Sequence, residues 1–276
     1  MMKKGKLYIV GTPIGNLSDI SKRAVETLKS VDYIACEDTR HTLPLLNHLG
    51  ISKKLFAYHK FNENEIKEKF LALLSDGSSV ALVSDAGMPS VCDPGSVIIS
   101  LCHSEGIEVE VVPSATAVTS ALSLAGYDAS KFVFLGFLPQ KESEKKSLLA
   151  DYKNLKIPTV IYSAPHDLIA NAQALYSVYG DRKAAAVKEI TKIHEGVEFT
   201  TLADFKVAPP KGEYVLIVDG AVEAENPLNS LGIKEHVLAY MRLGEDKKEA
   251  IKKAAKDRGL TKNEVYQLAI DLKDEI

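Results

Sequence analysis

The sequence predicts an α/β protein of two domains followed by a small helical segment, and three features carry that prediction. Over the first half, apolar runs of strand length alternate with stretches of helical periodicity, the pattern of a largely parallel sheet covered by helices. In the second half several strands follow one another at close spacing, as in a mixed or antiparallel sheet. From Leu231 onward the apolar residues recur only at helical intervals. A length of 276 residues suits about two domains with a sizeable core. The 46% hydrophobic and 26% charged content is that of a globular protein rather than a disordered or fibrous one.

Residues 7–10 read as the first strand and lead into the loop GTPIGNL. A helix over 18–30 follows, with Ile20, Ala24, Leu28 and Val31 on one face. Further strands are expected at YIAC (33–36), VALVS (80–84) and VEVVP (109–113), each ending in a loop that begins a helix. FVFLGFLP (132–139) reads as the last strand of the first domain, and the charged stretch QKESEKK as a surface linker, so the first domain spans 1–139. The second domain, 140–228, opens with a helix and PTVIY (158–162), continues with a helix over 166–178, and then carries strands in AAAVKEIT, GVEFTTL and GEYVLIV. The last segment, 229–276, has three apolar stripes: Val237, Leu238 and Met241; Ile251, Ala254 and Ala255; Val265, Leu268, Ala269 and Leu272. Gly244 and Gly259 separate them, and Thr261 with Glu264 fits a capping box at the start of the last helix. Its ten basic residues, Lys273 among them, are balanced by nine acids from Leu231 onward, a solvated amphipathic face for which RNA contact is the alternative.

The opening MMKKGKLYIVGT has a signal-like pair of lysines, but its apolar run is too short for a signal peptide, and no apolar stretch is long enough to span a bilayer. A first strand in a cytosolic protein is expected. The three cysteines, Cys36, Cys92 and Cys102, form no close pair and read as small buried or semi-buried residues in a reducing compartment. A formal charge of −3 argues against coating nucleic acid by bulk attraction and leaves room for a local basic patch.

Loops at the carboxyl ends of strands form the binding crevice of an open α/β sheet. GTPIGNL lacks both the G-x-G-x-x-G of a dinucleotide site and the G-K-[ST] of a P-loop, and its Gly11, Pro13 and Gly15 also fit a plain structural turn. In EDTRHT, five consecutive polar residues from Glu37 to His41 follow an apolar strand. Asp38, Arg40 and His41 have the chemistry to hold a phosphodiester, orient a hydroxyl or accept a proton; a salt bridge with a helix cap is the structural alternative. SDAGMPSVCDPG sets Asp85 and Asp93 among glycines and prolines, a loop suited to a polar small molecule. No histidine or further acid stands at ligand spacing, so no metal is expected. PSATAV brings Ser114 and Thr116 to a helix start whose free amides can receive a carboxylate. There is no G-x-S-x-G elbow, and His103 and His236 read as residues of ordinary helices.

In their order and spacing, TPIGNL, EDTRHT, SDAGMPSVCDPG, FLGFLP, KEITKIHEG and KGEYVLIV resemble the tetrapyrrole-methylase-like methyltransferases. Within that superfamily the chain is similar to the bacterial enzymes that methylate the ribose 2′-oxygen of a cytidine in the decoding region of small-subunit ribosomal RNA. The resemblance implies a tetrapyrrole-methylase-like two-domain fold with S-adenosylmethionine in the cleft between the domains, a homodimer and a cytoplasmic location. It carries cofactor contacts onto Ser84, Asp85, Ala86 and Gly87, onto Ser114, Ala115, Thr116 and Ala117, and onto Phe137 and Leu138. Second-domain contacts fall around Tyr162, Ala164, Thr191 and Gly212, while GTPIGNL and EDTRHT face the acceptor RNA. Three positions depart from the family pattern: Ser114 replaces a glycine in P-G-P-S-A, Ser163 and Asp167 replace the acid and the arginine of Y-E-S-P-H-R-L, and Met88 replaces a common threonine. Ser114 therefore needs a backbone conformation that tolerates a Cβ. Asp38 and His41 are the candidates for base or orienter, with Arg40 on the phosphate beside the target ribose. A tetrapyrrole-precursor methyltransferase and a catalytically silent RNA-binding assembly factor are the alternative functions.

Overall fold

The computed structural model describes residues 4–206, 211–222, 226–270 and 272. The first sheet begins with β1 (Lys6–Val10), followed by a 3-10 turn at Leu17–Asp19 and α1 (Lys22–Ser30). The helix expected from residue 18 thus starts later, at Ser21, whose hydroxyl accepts the Ala24 amide at 3.1 Å, because Asn16 caps the short turn ahead of it. The next elements are β2 (Tyr33–Cys36), α2 (Thr39–His48), β3 (Lys54–Ala57), α3 (Glu63–Ser75), β4 (Val80–Val83), α4 (Ser96–Ser104), β5 (Glu108–Val112) and α5 (Ala117–Ala125). The strands run in the order β3-β2-β4-β1-β5, all parallel. β4 is buried along its whole length, which is why its sequence is uninterrupted Val-Ala-Leu-Val. Leu28, Val31 and Ile34 fill one side of the sheet, and Phe70, Leu74 and Ile98 the other. Each such side chain contributes about 1.5–3 kcal/mol of burial.

The second sheet is built from β6 (Val133–Phe137), β7 (Thr159–Ser163), β8 (Lys183–Lys188), β9 (Gly196–Thr201) and β10 (Tyr214–Val218), in the order β6-β7-β10-β8-β9. The helices α6 (Glu142–Tyr152) and α7 (Leu168–Tyr179) cover it. β6 was expected to close the first sheet. It is instead hydrogen-bonded to β7, in parallel, so the passage between sheets precedes β6 and the division expected near Gln140 lies beyond it. A single strand ending in Gly-Phe carries no sign in sequence of which sheet it will join. The other pairs are antiparallel, and of these strands β8 and β9 are paired neighbours in sequence, joined by a short connection.

Both sheets belong to one compact unit that runs to Ala221; a second begins at Val222. The expected division at 228/229 falls inside a 3-10 turn, Pro227–Ser230, of that second unit. It holds α8 (Ile233–Arg242), α9 (Lys247–Arg258) and α10 (Lys262–Leu268) around Val237, Ala250, Ala254 and Val265. Gly259 ends α9 in the left-handed region, and the capping box of Thr261 and Glu264 is formed. Lys273 and the residues after it lie outside the described residues. Among the described residues no helix is long and apolar enough to cross a membrane.

Candidate active site

The loops that leave β1, β4 and β5 meet at Thr12, which is 1% exposed. Its amide donates to the Gly87 carbonyl at 2.9 Å, the Gly87 amide donates back at 3.1 Å, and its hydroxyl donates to the Ser84 carbonyl at 3.2 Å. The Ser114 hydroxyl donates to the Thr12 carbonyl at 3.0 Å. Gly11 beside it has no room for a side chain, since a Cβ there would stand 2.5 Å from the Ser114 Cβ and 2.6 Å from the Met88 sulfur. Ser114 itself is not among the residues with positive φ, so its replacement of the family's glycine introduces no left-handed strain.

Above this knot lies a cavity of about 510 Å³ whose walls come from both sheets. Of the sequence-predicted cofactor residues, Asp85, Ala86, Gly87, Thr116, Ala117, Phe137, Tyr162 and Ala164 line it. Ser84, Ser114, Ala115, Leu138, Thr191 and Gly212 are not among the lining residues. Ser84 is buried and donates to the Gly87 carbonyl at 3.3 Å, Leu138 is core, and Thr191 holds φ +66° with its amide bonded to Glu195 at 2.7 Å. Phe137 and Phe134 pack edge-on against Tyr162 at 5.5 and 4.8 Å between ring centres. Burial pushes the Tyr162 phenol up to about 12, so it stays neutral.

EDTRHT is not a free loop. Asp38 caps α2 by accepting the Arg40 amide at 2.8 Å, and its carboxylate also holds the Arg40 guanidinium at 2.6 Å. The Arg40 hydrogen bonds keep Asp38 down at about 2, which makes it a weak proton acceptor. Arg40 and His41 stand in the first turn of the helix, outside the cavity lining. Nδ1 of His41 lies 2.8 Å from Asp85 Oδ2, and this hydrogen bond raises the imidazole above its ordinary value. With Nδ1 engaged by the carboxylate, Nε2 is the nitrogen left to accept a proton. Asp85 therefore joins the two sets of candidates, cofactor loop and acceptor loop.

Several lining residues were not anticipated as site residues. Glu37 and Asp93 face the cavity, and Cys92, expected to be buried or semi-buried, is an exposed lining residue. Ile190, Glu213 and Tyr214 arrive through the antiparallel pairing that sets Tyr214 opposite both Ser163 and Lys188. The sequence places Asp93 in a loop suited to a small molecule without making it a cofactor contact; the β10 residues leave no such signal. At the departures in β7 and the loop after it, Ser163 is buried and accepts the Asn171 amide at 3.0 Å, and Asp167 accepts from Gln140 at 2.9 Å.

Residues 6–206 match the family model described as Tetrapyrrole (Corrin/Porphyrin) Methylases. Crystallographic similarity runs to a uroporphyrin-III C-methyltransferase from Thermus thermophilus complexed with S-adenosyl homocysteine, with a TM-score of 0.56, 19% identity, and 78% of this chain and 97% of that chain covered. Ribosomal RNA small subunit methyltransferase I of Halalkalibacterium halodurans is 40% identical over 273 residues, 96% of this chain and 94% of the relative. The protein of that name from Synechocystis is 38% identical over 274 residues, 97% and 98% of the two chains. The chain belongs to the tetrapyrrole methylase family and, within it, to the ribosomal RNA small subunit methyltransferase I family.

Proposed function

We propose that this protein transfers a methyl group from S-adenosylmethionine to the ribose 2′-oxygen of a cytidine in the decoding region of small-subunit ribosomal RNA. The observation that carries the reading is full-length similarity, about 40% identical, to relatives named for methylation of that RNA. The cavity fits the cofactor: its volume is in the range of small-molecule sites, Ile14, Phe137 and Tyr162 offer an apolar wall for a base, and carboxylates are available for its cationic groups. When bound, S-adenosylmethionine supplies a methyl carbon whose bond to sulfur breaks as the oxygen bonds to it, the electron pair remaining on sulfur. Asp85, Ala86, Gly87, Thr116, Ala117, Phe137, Tyr162 and Ala164 hold the cofactor directly, with Ser84, Ser114, Ala115, Leu138, Thr191 and Gly212 supporting them.

His41 accepts the hydroxyl proton at Nε2, and Asp85 fixes the tautomer that leaves this nitrogen free. Asp38 positions the first turn of α2, and the exposed Arg40 guanidinium meets a phosphate next to the target ribose. Alignment of oxygen and methyl in the cleft supplies much of the rate. The two sheets act as two domains joined between Ala125 and Val133, and the active form is a cytoplasmic homodimer. Mapping ribose methylation on ribosomal RNA from cells with and without the gene tests the reading: one cytidine of the decoding region should lose its mark. An unchanged map refutes the substrate. The scaffold is shared with a methyltransferase of tetrapyrroles, and incubation with a tetrapyrrole precursor should give no methylated product.

A further inference from the structure

Four carboxylates line the cavity, those of Glu37, Asp85, Asp93 and Glu213, and no lysine, arginine or histidine stands among the lining residues. Two of the four have partners outside the wall: Asp85 is hydrogen-bonded to His41 at 2.8 Å and Glu213 is paired with Lys192 at 2.9 Å. Glu37 and Asp93 make no hydrogen bond or ion pair among the described residues. They reach the cavity from different places, Glu37 from the end of β2 and Asp93 from the long loop after β4. That loop holds Ser90 and Cys92 at φ +65° and +67°, a conformation unusual for residues with side chains. Burial, together with the carboxylates around them, raises both groups, Asp93 to about 6. Carboxylates without a hydrogen-bonded partner beside Val91, Phe137 and Tyr162 are costly to keep ionised; His59 and His41 counter this for Glu37 only in part, and a cationic occupant offsets the remaining cost.

We infer that Glu37 and Asp93 make the cleft selective for positive charge on its ligand, favouring the sulfonium cofactor over the neutral thioether left after transfer. The inference rests on the proposed reading of the cleft as the cofactor site. Methyl transfer removes the charge from sulfur, and the proton released by the ribose hydroxyl goes to His41, outside the cavity wall. The spent cofactor keeps its amino-acid ammonium group but has lost the charge on sulfur, so it offsets Glu37 and Asp93 less fully and the next sulfonium displaces it.

The test is calorimetric binding of three ligands to the full chain, at a pH above the Asp93 value of about 6. The ligands are S-adenosylmethionine, S-adenosylhomocysteine and sinefungin, which carries an ammonium group in place of the sulfonium. Glu37→Gln and Asp93→Asn are each compared with wild type. Each variant should lose roughly tenfold in affinity for the sulfonium and for sinefungin and less for the thioether, as expected for loss of one attractive unit charge in a partly screened site. The thioether affinity also reports that the fold is intact, and should Asp93→Asn fail to fold, Glu37→Gln decides alone. Equal weakening of all three ligands, or no change in any, overturns the inference while leaving the cofactor reading in place. Failure of wild type to bind any of them overturns both.

Discussion

Replacing Ser114 with glycine restores the family pattern and should nevertheless weaken this protein. The serine backbone is outside the left-handed region, so glycine relieves no strain there. The change removes the Oγ to Thr12 carbonyl hydrogen bond of 3.0 Å, a net loss of about 1 kcal/mol. It also gives the unfolded chain more freedom, a further loss of about 0.5–1 kcal/mol. The two terms sum to about 1.5–2 kcal/mol, which for a unit of this size lowers Tm by roughly 3–8 °C. Thermal unfolding followed by circular dichroism reads this directly. The Ser114 Cβ also occupies the space that a Cβ on Gly11 would need, at 2.5 Å. Gly11→Ala should therefore be less harmful on the Ser114→Gly background than alone, a coupling that a double-mutant cycle isolates. A rise in Tm for Ser114→Gly would refute the reasoning, because it would mean that the serine is held under strain.

Two further outcomes follow from the contacts of α2. A proton acceptor at His41 works only when neutral, so the single-turnover methylation rate should rise as pH climbs through the imidazole pKa. Asp85 raises that pKa, so Asp85→Asn should move the acid limb of the profile to lower pH and depress the plateau, since the ring loses its fixed tautomer. An acid limb that stays where it is removes His41 from the role of base. Arg40→Ala should weaken RNA binding in anisotropy titrations and reduce the salt slope by about one, with calorimetric cofactor affinity unchanged. Parallel loss of both affinities contradicts the phosphate assignment.

The legible part of the fold is the part written in local pattern. Val80–Val83 and Tyr214–Val218 are unbroken apolar runs bounded by polar residues, and the Thr261 and Glu264 pair announces α10 ahead of its first buried side chain, Val265. β3 and α3 leave little local signal, for different reasons. Lys-Leu-Phe-Ala is four residues on a sheet edge, whereas Ile66, Phe70 and Leu74 form a proper helical stripe diluted by charged neighbours. EDTRHT takes the form of its structural alternative, a salt bridge with a helix cap. A run of ionisable residues looks like a loop, yet Asp38 at its head is a helix cap, and Arg40 and His41 project from the first turn. The cavity was half legible. Residues next to glycines in strand-end loops could be named from sequence, but Tyr214 reaches the cavity only because β10 inserts between β7 and β8, an order no local pattern encodes.

The knot at Thr12 bears on how such a cleft can change over evolutionary time. Three loops share one buried residue, so an insertion or a bulky replacement in any of them is transmitted to the other two. The cofactor floor can be inherited or redesigned only as a set. α2 is attached to it differently, through a single histidine-to-carboxylate contact and the Asp38 amide bond to Asp85 of 3.4 Å. Such a helix can be exchanged for another while the floor remains, provided the replacement fills the sheet-facing side where Leu46 is buried. A scaffold divided in this way can keep one methyl donor and acquire unrelated acceptors.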